Sequence, residues 1–192
     1  MAETTIASAM ICEKPKRFGK YTIVSAYDGA WEPVKRLPND IAQYVSDDLG
    51  NPDVEYGGFL QINNLKVLQI IQNHKFFTCF RGVLVSDLER VQTVPAHEIY
   101  QRLEGDLITM GWDICTGNGW RSASCDGYFP INALNGIVEV GSCDLVNEWG
   151  LLKEFEKCLE FCLINNKEIP EDAPWYPVKV YLDKGSYNRL HD

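Results

Sequence analysis

The chain has no glycine-rich phosphate loop, no CxxC pair, no basic excess and no long apolar run, and each shortage argues against a class of function. Gly117, Gly119 and Gly127 lack the strand, GxGxxG and helix order of a dinucleotide site, and no GKS or GKT follows them. The histidines, His74, His97 and His191, are too scattered to give zinc-ligand spacing with the cysteines, so neither a metal nor a cofactor is expected. With 18 basic residues against 27 acidic ones and a formal charge of −9, the chain repels nucleic acid and anionic membrane. No window approaches the roughly 20 apolar residues of a membrane span. Glu3 and an interrupted apolar run do not make a signal peptide, so a soluble cytoplasmic protein is expected. Seven cysteines, an odd number set mostly in apolar contexts, fit reduced thiols better than a disulfide framework.

What is present suits an α+β fold. The 192 residues, 45% hydrophobic and 11% aromatic, suffice for one domain with a substantial core, and the hydrophobic period changes several times along the chain. Strands are expected at 21–27, 58–62, 76–85 with a bend at Gly82, and 177–182, whereas 65–71 fits helix or strand. A short helix over 38–49 carries Asn39 or Asp40 as its cap and Gly50 as its stop. Two longer helices are expected at about 95–110 and 144–165. The first places Ile99, Leu103, Leu107 and Met110 on one face, with Gly111 as its end. The second turns Leu152, Phe155, Leu159 and Cys162 inward, and Lys153, Glu154, Glu156, Lys157 and Glu160 outward. The architecture expected is a single α+β domain, 1–192, its mostly antiparallel sheet built on a central hairpin of about 112–125 and packed against those two helices.

The hairpin carries the sharpest signal. Asn118 and Gly119 supply the two positive-φ residues of a type I′ turn, which sets Thr116 opposite Arg121, Cys115 opposite Ser122 and Ile114 opposite Ala123. Alternation then puts Trp112, Ile114, Ala123 and Cys125 on a core face. The other face takes Asp113, Cys115, Trp120, Ser122 and Ser124. It is mostly polar, so Trp120 needs cover from another part of the chain or from a partner.

Among reactive groups, Cys158 and Cys162 lie four apart on a helix and read as core cysteines. Cys115 is the best candidate nucleophile, with His74 or His97 as the base it would need, although nothing in the sequence brings either close. Asp113 and Asp126 flank the hairpin without a spacing that marks an acid and base pair. The remaining constellation is acidic and aromatic. Asp47, Asp48, Asp53 and Glu55 gather around the Gly50-Asn51-Pro52 turn between Tyr44 and Tyr56, a composition suited to docking a Lys/Arg-rich surface, with the acids steering and the tyrosines anchoring.

In composition, though in no motif, the chain resembles the small acidic proteins that neutralise basic toxins, as bacterial immunity proteins do. That resemblance implies an inhibitor that occludes a basic toxin or enzyme, with Tyr44, Asp47, Asp48, Asp53, Glu55, Tyr56, Asp113 and Trp120 as its binding residues. A cysteine-dependent hydrolase or transferase using Cys115 is the alternative. A regulatory domain with a small-molecule pocket lined by Trp112, Trp120 and Tyr128 is a further one.

Overall fold

The computed structural model describes residues 4–12, 14–15, 22–23, 31–32, 39, 60–62, 77–90, 106–116, 121–122, 139–140, 145–149 and 151–192. Its strands, in chain order, are β1 (Thr4–Cys12), β2 (Lys14–Pro15), β3 (Thr22–Ile23), β4 (Trp31–Glu32), β5 (Leu60–Ile62), β6 (Phe77–Leu84), β7 (Leu107–Thr116), β8 (Arg121–Ser122), β9 (Glu139–Val140) and β10 (Trp175–Asp183). The α-helices whose bounds lie among the described residues are α1 (Phe155–Glu168) and α2 (Lys184–Arg189). The class is mixed α+β.

Six strands form one sheet in the order β5-β1-β6-β10-β7-β8, with every neighbouring pair antiparallel. The short pairs β2–β4 and β3–β9 stand apart from it. β10 lies in the interior between β6 and β7, and its residues from Trp175 to Val178 are buried without a break. A strand covered on both faces reads as a run of large apolar residues, as WYPV does here. Pro177 falls one residue outside the β6 ladder, which begins at Val178, so proline sits where only one of the two ladders runs.

The strands expected at 76–85 and 177–182 are present, the latter longer by two residues at its start and one at its end. Gly82 does sit at an irregularity, but the extra residue is in the partner. Ile6 pairs with Gly82 and Ser8 with Arg81, which leaves Ala7 as a bulge in β1. Of the strands expected at 21–27 and 58–62, the described parts are Thr22–Ile23 and Leu60–Ile62. The ambiguous segment 65–71 lies outside the described residues, as does the helix over 38–49 apart from Asn39, which is helical.

Both longer helices need correction. Of the span 95–110, residues 95–105 lie outside the described residues, while Leu107 to Met110 are strand. The i, i+3 spacing of Leu107 and Met110 satisfied a helical pattern, but the β-branched Ile108 and Thr109 and the ladder to β10 decide for extended backbone. Gly111 ends no helix. Val180 pairs with Gly111 and Tyr181 with Thr109, so Met110 is the extra residue of a bulge in β7. Gly111 takes φ +146° there, and a Cβ on it would lie 2.8 Å from Leu151 Cβ and 3.0 Å from the Leu152 carbonyl oxygen.

The helix expected over 144–165 begins only at Phe155 and runs on to Glu168. Before it, Asn147 folds the chain into a turn. Its Oδ1 accepts the N–H groups of Trp149 (2.9 Å) and Leu151 (3.1 Å), and its Nδ2 donates to the Met110 carbonyl (2.6 Å). An asparagine that captures nearby backbone donors competes with helix in this way. Trp112 and Leu152 then exchange backbone N–H···O bonds of 2.8 Å each, which fastens the turn to the edge of β7.

The inward face of α1 also differs from expectation. Cys158, Phe161, Cys162 and Asn165 are buried, whereas Leu159, expected inward, is exposed. Contacts at both ends of the helix set this rotation. The Cys158 thiol donates to the Asp113 carbonyl at 3.0 Å, and Asn166 clamps the start of β10, donating to the Trp175 carbonyl at 3.0 Å and accepting the Trp175 N–H at 2.7 Å. α1 packs with Ile114, Val146, Leu152 and Trp175 in one apolar cluster, and burial of Phe161 alone contributes roughly 1.5–3 kcal/mol. A second cluster, Met110, Trp149, Leu151, Val180 and Leu182, is closed by Tyr187 of α2. Among the described residues, no helix is long and apolar enough to cross a membrane.

Candidate interaction site

The hairpin has the register that Asn118-Gly119 demands: Cys115 pairs with Ser122 and Thr116 with Arg121. Among the described strands, β8 is the last in the order of the sheet. The base of the hairpin is tied to the loop before β10, because the Thr116 hydroxyl donates to the Asp172 carbonyl. Trp120, the residue before Arg121, lies outside the described residues, and so do Tyr44, Asp47, Asp48, Asp53, Glu55 and Tyr56. The structure therefore brings none of these together, and Asp113 is the one expected binding residue that it describes.

Asp113 is 1% exposed, and Cys115, on the same face of β7, is 0% exposed. The face expected to be mostly polar is buried at these positions. Cys115 packs with Val83, Tyr176 and Val178, and Asp113 Oδ1 accepts the N–H of Ile114 at 2.8 Å. Register places the buried Arg81 on this face too, because Arg81 pairs with Val180, which shares a face of β10 with Val178 and Tyr176. The opposite face behaves as expected, with Ile114 buried and Trp112 partly buried beneath α1. Sequence alternation separated the two faces correctly but could not show that both are covered.

Cys115, Cys158 and Cys162 form no disulfide, and all three are buried. Burial is the main cause that pushes the Cys158 thiol well above its ordinary range, with Cys162 and the Asp113 charge adding to it, so Cys158 is the reverse of an activated nucleophile. Ser186 receives a bond from Arg189 Nη2 at 3.0 Å and donates its hydroxyl to Asp183 Oδ2, but it is fully buried and serves as part of the α2 cap. Among the described residues, no group of three His, Cys, Asp or Glu side chains could hold a metal ion.

The sequence reading missed a row of cation and aromatic contacts. Lys179 Nζ lies 5.7 Å from the centre of the Trp112 ring and 5.5 Å from that of Tyr181, and Trp112 meets Phe155 of α1 at 4.9 Å between ring centres. The alternation of β10 could have put Lys179 and Tyr181 on one face, but the partnership with Trp112 needs the β7–β10 register, in which Lys179 opposes Trp112. Trp112, expected to line a ligand pocket, is thus engaged by the chain's own side chains, while its proposed companions Trp120 and Tyr128 lie outside the described residues. No known protein family matches the chain, and no curated protein or solved structure is similar to it.

Proposed function

We propose that the chain is a single-domain cytoplasmic protein that binds a basic protein partner and inhibits it by occlusion, with no catalysis of its own. The observation that carries this reading is the hairpin register. Because Thr116 opposes Arg121, residues 117–120 are all that join the two strands, and they include Trp120, the kind of aromatic anchor that interfaces use. The formal charge of −9 supports a basic partner through faster and more selective encounter. Asp47, Asp48, Asp53 and Glu55, with Tyr44 and Tyr56, supply the second half of the interface. Asp113 takes no part, since a residue 1% exposed makes no contact without a change of fold. The burial of Cys115 likewise speaks against the hydrolase reading.

The test is a pull-down from native extract at low and high salt. Intact protein is compared with a folded Trp120→Ala/Asp47→Lys/Asp48→Lys variant. A basic partner recovered by the intact protein alone, and less of it at high salt, is the expected result. Equal capture by both proteins, or no partner at all, overturns the proposal.

A further inference from the structure

The outer face of α1 carries an exposed apolar pair. Leu163 is 64% exposed and Leu159 41%, and at four residues apart they stand side by side on the helix. At about 100° per residue, Glu156 and Lys167 border this pair along one flank, Glu156 in the first turn and Lys167 in the last. Each charge matches the end of the helix dipole where it sits. Acid at one end, base at the other and leucines between them make a pattern complementary to itself when reversed.

We infer that this face binds a second copy of the chain, α1 against α1 in antiparallel orientation. A two-fold axis at the level of residue 161 sets Leu159 opposite Leu163 of the second copy, and Leu163 opposite Leu159. The same operation brings Glu156 within reach of Lys167 across the contact, twice over, because in an antiparallel helix pair like flanks meet. A parallel two-fold arrangement would put the Glu156 and Lys167 flanks of the two copies on opposite sides of the contact and leave both pairs unmade. Glu160, the other acid on this flank, is already engaged by Lys157 at 2.7 Å within its own helix, so it does not compete for Lys167. Two leucines and two ion pairs make a small contact, so the dimer belongs to the weak, exchanging class and forms at high protein concentration.

Sedimentation velocity of the full chain over a wide concentration range tests this. A monomer–dimer equilibrium is expected. Leu163→Glu, placed at an exposed position and so neutral for folding, should weaken dimerisation at least about tenfold. Glu156→Lys and Lys167→Glu should each weaken it, and the double swap Glu156→Lys/Lys167→Glu should restore it, because the pairs re-form with signs exchanged. A chain that stays monomeric at every concentration overturns the inference, even if it binds a different protein through Leu163. So does a dimer indifferent to Leu163→Glu, or a double swap that fails to recover what the single swaps lose.

Discussion

At its C-terminal end β7 pairs with β8 through Cys115 and Thr116, in the register expected from the neighbouring Asn118-Gly119 sequence. At its N-terminal end, from Leu107 to Gly111, the same strand bulges against β10 and is held by a turn about forty residues away in sequence. The first end is governed by local backbone chemistry and the second by tertiary contact. The contrast shows what a glycine can and cannot disclose. Asn118-Gly119 and Gly111 both announce positive φ, but only the former has flanks that specify the structure requiring it. Gly111 served equally well as a helix stop, and nothing nearby in sequence reveals that Leu151 and Leu152 will press on it.

If the N-terminal end depends on that close approach, Gly111→Ala should have the largest effect. Strained φ and a Cβ driven into Leu151 should together cost about 3 kcal/mol, read as a lowered urea midpoint at unchanged slope. A loss under about 1 kcal/mol would show that the bulge yields easily. Asn147→Ala should come next, at roughly 2 kcal/mol, because it leaves the Met110 carbonyl and the Trp149 and Leu151 N–H groups without their side-chain partner. The C-terminal end should respond less. Thr116→Val removes one bond to the Asp172 carbonyl and should cost about 1 kcal/mol, so a loss as large as that of Asn147→Ala would erase the distinction between the two ends.

Two smaller effects sharpen the comparison beneath the strand, where α1 covers it. Neither side-chain atom of Asn165, buried on α1, meets a hydrogen-bond partner among the described residues. Asn165→Leu, close to isosteric, should therefore raise stability by about 1 kcal/mol, a gain visible in the same denaturation series. The Cys158 thiol gives a pH signature. Its folded pKa is raised, so above about pH 8.5 the unfolded chain releases this proton while the folded chain keeps it. Stability from this group is complete below that pH and declines as pH rises further. Cys158→Ala lowers stability overall, but it should flatten the decline between pH 8 and 10, as followed by denaturant midpoint.

Where the sequence could be read, the signals were local or repeated. Phe76 to Val85 was legible from its β-rich composition, and Cys158 and Cys162 from their apolar setting. The start of α1 was not, because Asn147 diverts the chain through bonds to Met110, a strand away. The covered face of Asp113 and Cys115 was not legible either, since alternation assigns residues to faces without saying how many faces are buried. Of the candidate site, the register beneath Trp120 was legible, while the contact of Lys179 with Trp112 depends on strands 67 residues apart finding one another.

The interior place of β10 has a consequence for the chain while it is being made. Synthesis delivers β6 and then β7, each with an inner edge whose N–H and C=O groups await a strand that emerges after both. Until Val178 to Leu182 leaves the ribosome, the nascent polypeptide displays two unsatisfied strand edges, the form in which chains most readily join their neighbours. A ribosome stalled between Thr116 and Trp175 would thus hold a nascent chain that needs a chaperone.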